Sequence, residues 1–200
     1  MTKVKNQIRW LLPAAVLLIL ALVFASVPVY AAEGDDTTDE TEASVSFTAG
    51  ELKLESVPML NFGSHDISHE EQVLEAVNVN PNVQVSDLRG NGNGWDLVVS
   101  LTPFQLNGGG QTLQAASIQF ASPVVSAVNG NVGTPPSAVS RITLTSDSTE
   151  TPVMSAESGE GMGVWSLGWD NEDVKLTVKP GTAQEGTSVA TLNWSLQTTP

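Results

Sequence analysis

Two histidines beside two glutamates come closest in this sequence to a metal site. His65 and His69 lie four residues apart and are followed directly by Glu70 and Glu71. One helical turn would bring both imidazoles to the same side. A zinc site usually has three or four protein ligands, and the sequence contains no His-Glu-x-x-His motif. We therefore interpret this stretch as a surface loop and predict no metal site.

No motif in the sequence indicates a catalytic centre. The chain has no cysteine, and it has no Gly-x-Ser-x-Gly motif, so no nucleophile is recognisable. The glycine clusters at residues 90–94 and 108–110 lack the lysine of a phosphate-binding loop, and we interpret them as hairpin turns. Paired carboxylates of a glycosidase stay open as an alternative, because such residues can lie far apart in a chain. The sequence favours a protein that is not an enzyme and uses no cofactor.

Tryptophan followed two places later by leucine is the most distinctive pattern in the chain. The tripeptide Trp-x-Leu begins at Trp95, Trp165 and Trp194, whereas Trp169 has no such leucine. Alternate residues of a strand share one face, and a buried tryptophan removes about 150–250 Å² from water. One interpretation is therefore that these tryptophans form the core.

The other interpretation is that some indole rings lie flat in a groove and stack on sugars. Trp165 and Trp169 are our candidates for exposure, because Gly163 and Gly168 flank them.

Short alternating runs separated by turn residues predict an all-β fold. About 157 residues follow the acidic run described below, which is enough for a single core of ordinary size. We expect a single β-sandwich or an irregular barrel-like domain. Residues 68–77 are the one place outside the leader where we expect a short helical turn. The predicted strands span residues 44–48, 51–57, 83–87, 95–102, 112–120, 140–145, 164–169, 174–179 and 189–197.

The ordered motifs resemble those of the WxL domain, which occurs in secreted surface proteins of Gram-positive bacteria. The family's distal motif reads Tyr-x3-Leu-Thr-Trp-x-Leu-x3-Pro. Its leucines, tryptophan and proline match this chain up to Pro200, whereas Ser188 replaces the tyrosine and Asn193 the threonine. The proximal motif resembles residues 87–90 followed by 94–97, and residues 161–165 are also similar. The resemblance covers roughly residues 45–200.

This resemblance implies a function in non-covalent binding to peptidoglycan. It also implies partners among other WxL proteins and a membrane-tethered WxL-interacting protein. The alternative function is a partner-binding module that docks on that interacting protein, and the enzymatic alternative is a wall hydrolase. The residues implied as the wall-binding motif are Trp95, Leu97, Trp165, Leu167, Trp169, Leu192, Trp194 and Leu196.

The sequence divides into a leader, an acidic spacer and one domain. Residues 1–31 combine a basic start, an apolar run at 11–24 and small residues before Ala32, as a cleaved signal peptide does. A retained N-terminal anchor is the alternative, although the run is short for a membrane span.

Residues 32–43 are predicted to be a disordered spacer, because six carboxylates accompany no large apolar side chain. They lack the glycine turn of an EF-hand, which disfavours a calcium site. Residues 44–200 then form the WxL wall-binding domain.

Net charge limits the partners of the exported protein. Beyond residue 31 the sequence has 22 acidic and five basic residues, which gives a formal charge of −17. Nucleic acids and anionic lipid surfaces are therefore excluded as partners. Anionic wall polymers would also be repelled at neutral pH, so we expect wall binding to strengthen in acid or with divalent cations.

Overall fold

The computed structural model describes residues 39–199, which are almost entirely β-structure. Within them the chain forms sixteen short strands and one 3₁₀ turn at Asn171–Asp173. The strands are β1 (Leu52–Ser56), β2 (Met59–Asn61), β3 (Gln72–Glu75), β4 (Asn78–Asn80), β5 (Val83–Asp87), β6 (Trp95–Leu101), β7 (Gln105–Leu106), β8 (Ser117–Ala121), β9 (Val124–Ala127), β10 (Ser137–Ala138), β11 (Arg141–Thr145), β12 (Thr151–Ala156), β13 (Gly163–Gly168), β14 (Val174–Val178), β15 (Ser188–Val189) and β16 (Leu192–Thr198).

The longer strands form three antiparallel sheets of four strands each. Their orders are β1-β5-β13-β9, β10-β12-β6-β16 and β11-β8-β14-β3. Two strand pairs, β2 with β4 and β7 with β15, complete the pairing among the described residues. No sheet closes on itself within residues 39–199. The structure therefore confirms the predicted all-β class, and it favours the sandwich-like alternative over a barrel.

Buried side chains from all three sheets meet in one apolar core. Val85 of β5, Leu97 of β6 and Leu144 of β11 are each fully buried there. Strand β6 lies between β12 and β16, and five of its seven residues are buried. The chain is therefore organised around β6, which carries the first Trp-x-Leu tripeptide.

Strands with clear alternation or a continuous apolar run were predicted well. The interval 83–87 coincides with β5, and the predictions at 51–57, 95–102, 140–145, 164–169 and 174–179 differ from the observed strands by one residue at one or both ends.

Two predicted strands are shorter or divided in the structure. In the interval 112–120 only β8 is a strand, because Leu113 and Ala115 have the positive φ angles 48° and 55° and interrupt the extended backbone. The interval 189–197 is divided between β15 and β16.

The predicted helical turn at 68–77 is wrong. Residues Gln72–Glu75 form β3, which pairs with β14 and places Leu74 opposite Leu176. Local spacing was ambiguous over this short run, and pairing with a distant strand decided it. The strands that the sequence did not predict are β2, β3, β4, β7, β9, β10 and β12.

The predicted strand at 44–48 is also wrong, although its residues alternate. These residues have no regular structure and are exposed, with Val45 at 77% and Phe47 at 90% of full exposure. An alternating run becomes a strand only when another strand edge is available to it.

One glycine cluster is a hairpin turn and the other is not. Residues 108–110 reverse the chain beside β7, where the Leu106 N–H donates to the Gly110 carbonyl, as predicted. Residues 90–94 instead connect β5 with β6, which belong to different sheets. The hairpin interpretation of residues 90–94 was therefore wrong, and this loop links two layers.

The leader at 1–31 and residues 32–38 lie outside the described residues. Residues 39–43 of the predicted spacer have no regular structure and are exposed. Within residues 39–199, no helix is long and apolar enough to cross a membrane.

Gly161 shows how tightly the chain packs around Trp95. Its φ is +69°, and an added Cβ would lie 2.7 Å from Trp95 Nε1 and 2.5 Å from Ala156 Cβ. Gly161→Ala should lower the free energy of unfolding by about 2–4 kcal/mol, through left-handed strain and overpacking. The measurement is urea unfolding followed by tryptophan fluorescence.

Gly159→Ala is the matched control. Gly159 also has a positive φ, +87°, but an added Cβ meets nothing within 4 Å. In this variant only the left-handed backbone strain should lower the free energy of unfolding, by about 1–2 kcal/mol. Equal losses for the two variants would contradict the packing described around Trp95.

Candidate functional site

Two of the three Trp-x-Leu tripeptides lie side by side in one sheet. Strands β6 and β16 pair in antiparallel register, so Leu97 lies opposite Leu196 and Val99 lies opposite Trp194. Residues directly opposite each other point to the same face, and here that face is the core. The first and last tryptophans of the domain are therefore brought to one apolar surface by strand pairing.

The third tripeptide lies in a different sheet and is also buried. Trp165 and Leu167 of β13 pair opposite Val85 and Val83 of β5. The indole of Trp165 donates a hydrogen bond to the Met162 carbonyl at 3.0 Å, so its polar atom is satisfied inside the protein. This tripeptide therefore holds its own sheet together.

The predicted exposure of Trp165 and Trp169 is wrong. Their relative exposures are 4% and 8%. The flanking glycines instead admit neighbouring side chains: an added Cβ at Gly163 would lie 2.5 Å from Asn131 Nδ2, and one at Gly168 would lie 2.7 Å from Asn82 Nδ2. Glycine within a strand marks a close approach by another group, and here that group belongs to the protein.

Trp194 is the tryptophan of the motif that is half-buried. Its ring packs against Phe120 and Trp169, with centroid separations of 6.5 Å in both cases, and Phe120 lies 5.0 Å from Trp169. These separations are typical of stabilising aromatic pairs. The cluster ties β16 to β8 and to the end of β13, and one side of Trp194 still lines an open groove.

That groove has a volume of about 920 Å³ and is lined by both polar and apolar groups. Residues 57–67 form one wall, and residues 183–184, 186–192 and 194 contribute the other. The buried side chains of Phe104, Ile118 and Leu176 contribute to its floor. We call this feature the apolar groove. No pattern in the sequence predicts this groove, because its residues come from five separate parts of the chain.

A second concavity of about 570 Å³ lies beside Trp169, and we call it the polar pocket. It is lined by Val79, Asn80, Asn82, Trp169, Asp170, Asn171 and Glu172. Three amides and two carboxylates thus line the pocket together with Trp169. Amides both donate and accept hydrogen bonds, and carboxylates accept them, which suits a ligand rich in hydroxyl and amide groups. Of the predicted site residues, only Trp169 lies in this pocket.

The proximal sequence motif forms an ion pair that fixes the loop before Trp95. Arg89 donates to both carboxylate oxygens of Asp87, at 2.9 and 2.8 Å, and to the Asn93 carbonyl at 2.8 Å. The hydrogen bond to Asp87 raises the pKa of the Arg89 guanidinium above its ordinary value, although burial opposes this change. Both side chains are largely buried. The pair therefore connects the end of β5 to the start of β6.

The histidine pair lies in a surface loop, as predicted. His65 and His69 are exposed in a segment without regular structure, and His65 contacts the Phe62 carbonyl. Among residues 39–199, no group of three or more histidine, aspartate or glutamate side chains is arranged to hold a metal ion.

Comparison with known families identifies the domain. A family model described as WxL domain surface cell wall-binding matches residues 27–200. This match covers most of the chain, and the protein belongs to the WxL family. The family description implies binding to the cell wall and a location at the cell surface. No curated protein and no solved structure matches the chain.

Arg89→Ala should destabilise the domain. The substitution leaves the Asp87 carboxylate buried without its partner, which typically costs about 3–5 kcal/mol. Arg89→Lys should recover part of the loss, since lysine keeps the charge but not the two-pronged geometry. Thermal unfolding followed by circular dichroism measures both.

Arg141→Ala is the control, because Arg141 is exposed on β11. It should change stability by less than about 0.5 kcal/mol. A similar loss in Arg141→Ala and Arg89→Ala would contradict a specific role for the ion pair.

Proposed function

We propose that this protein is a secreted cell-surface protein of a Gram-positive bacterium that associates non-covalently with peptidoglycan through its WxL domain. Its function is binding, with no catalytic step. Membership of a cell wall-binding family supports the general activity. The polar pocket is the observation that carries the choice of ligand.

The chemistry of the polar pocket matches that of peptidoglycan. The amides of Asn80, Asn82 and Asn171 each donate one hydrogen bond within the protein, so their carbonyl oxygens and second N–H groups are what they offer to sugar hydroxyls and N-acetyl groups. Asp170 and Glu172 accept hydrogen bonds from hydroxyls and attract the amino groups of stem peptides. Trp169 lines the pocket at the same place.

This proposal changes the role of the tryptophan motif in wall binding. Trp95, Leu97, Trp165 and Leu167 are buried, so they support the binding surface from within and do not stack on sugars. Leu192 and Leu196 are half-buried on the core face of β16 and have the same role. Trp169 lines the polar pocket, and Leu192 and Trp194 line the apolar groove, so these three motif residues reach a concave surface.

A double substitution in the polar pocket tests the proposal. Asn171→Ala with Glu172→Ala removes two exposed polar side chains and should weaken binding to protein-free peptidoglycan about tenfold or more. The measurement is co-sedimentation over a range of peptidoglycan concentrations.

The control is Asn107→Ala with Glu185→Ala. Both residues are exposed and lie outside the polar pocket and the apolar groove. The control should bind as the unmodified protein does. Unchanged binding by the pocket variant, with its fold confirmed by circular dichroism, would contradict this site.

Charge gives a separate prediction about whole walls. Since the exported chain carries −17, walls that retain anionic polymers should bind less protein than purified peptidoglycan at low ionic strength. About 1 M salt shortens the Debye length to roughly 3 Å and should abolish the difference. A difference that persists in high salt would show that charge repulsion is not its cause.

The apolar groove supports the alternative function, a partner-binding module of a surface complex. A membrane-tethered WxL-interacting protein would then retain the domain. Binding to that protein, with no binding to protein-free peptidoglycan, would favour this function over the first.

A further inference from the structure

The apolar groove is lined in part by residues of two strands, β2 and β16, that each have one neighbour among residues 39–199. Strand β16 pairs with β6 on one side, and β2 pairs with β4 on one side. An unpaired edge presents a row of backbone donors and acceptors. An extended segment that entered the groove and reached one of these edges would gain backbone hydrogen bonds in addition to apolar contacts.

Large apolar side chains on the walls of the groove are exposed to solvent. Met59 and Ile67 on one wall and Val189 on the other are among the exposed large hydrophobic residues of the domain. Exposed apolar surface that is continuous with open strand edges is typical of a site that takes up a strand.

The chain itself carries an unpaired segment with the right pattern. In residues 44–49 (SVSFTA), Val45, Phe47 and Ala49 alternate with small polar residues. The segment is exposed and has no strand partner in the structure. As an added strand it would direct one face, with valine, phenylalanine and alanine, into the groove. The polar face would remain in solvent.

Chain length shows why this segment does not fill the groove of its own copy. Gly50 donates its N–H to Leu88 at one end of β1, and Val57 at the other end already lines the groove. The six residues between them, five of which form β1, span roughly 20 Å. Residues 44–49, fully extended, measure about the same. To reach the groove of its own copy, the segment would have to run back beside β1 over its whole length. Only the acidic residues that precede it would then lie in the groove, and burial of carboxylates against apolar side chains is unfavourable.

We propose that residues 44–49 of one copy add as a β-strand to the apolar groove of a second copy. The donor segment and the acceptor groove are different surfaces, so each copy that donates a strand can also accept one. Such a head-to-tail contact produces open chains or rings, depending on its geometry. The ligand of the groove is thus an extended, alternating strand with phenylalanine at its centre.

Sedimentation velocity tests self-association. The sample is the exported protein, purified from a bacterium that expresses it. The unmodified protein should form dimers and larger species as concentration rises. Phe47→Ser should weaken this association about 10- to 100-fold, and Ile67→Glu on the groove wall should do the same. Val132→Ser is the control, because Val132 is 98% exposed and lies outside the groove. Since both copies are acidic, added salt should strengthen the association.

Cysteine cross-linking identifies the contact, and the absence of native cysteine makes it unambiguous. Val45→Cys, on the groove-facing side of the donor segment, and Ala190→Cys in the groove are made in separate chains and mixed under mild oxidation with air. The mixture should give a disulfide-linked dimer of the two variants, and adding Phe47→Ser to the Val45→Cys chain should abolish it. A third pairing, Val45→Cys with Val132→Cys, should give none.

Three results would overturn the proposal. The first is a protein that stays monomeric at every concentration, including in high salt. The second is a chain carrying both Val45→Cys and Ala190→Cys that forms only an internal disulfide, which would place the segment in its own groove. The third is self-association that Phe47→Ser and Ile67→Glu leave unchanged. None of these results depends on whether the domain binds peptidoglycan.

Discussion

The pairing of β6 with β16 is the constraint on which the rest of the domain depends. It joins seven residue pairs and brings the last strand of the described chain against the most buried one. Leu97 then faces Leu196 on the core side, and Trp194 reaches the aromatic cluster with Phe120 and Trp169. Strand pairs of this kind stabilise a sheet through their side-chain contacts. The two halves of the WxL signature are therefore one structural unit.

The proximal motif fixes the end of this strand pair at which β6 begins and β16 ends. Arg89 holds Asp87 and the Asn93 carbonyl, and this fixes the loop that leads into Trp95. The Gly94 carbonyl accepts a hydrogen bond from Thr199 just after β16. The first and last strands of the unit are thus anchored at one end of the sandwich. The apolar groove lies at the other end, near Leu192.

The sequence predicted those parts of the fold that local pattern determines. Val83–Asp87 and Trp95–Leu101 show apolar runs or alternation that only a buried strand satisfies, and they were found within one residue. Gln72–Glu75 is a strand because β14 pairs with it, whereas residues 44–48 have a better pattern and no partner. Pattern alone does not show whether a strand edge is available.

Neither concave surface could be predicted from the sequence. Asn80 and Asn171 meet in the polar pocket although 90 residues separate them, and no spacing rule connects them. The glycines beside Trp165 and Trp169 suggested exposure, but they accommodate Asn131 and Asn82. A flanking glycine indicates close approach without indicating what approaches.

The Trp-x-Leu strands pack in the interior of the domain, and we propose that the polar pocket contacts the cell wall. Hydrogen–deuterium exchange with and without soluble peptidoglycan fragments tests this division of roles most directly. We expect β6 and β16 to be protected already in the free protein, and we expect added protection at residues 78–82 and 169–173. Added protection in β16 with no change at 78–82 and 169–173 would contradict the account, because the wall would then contact the tryptophan motif itself.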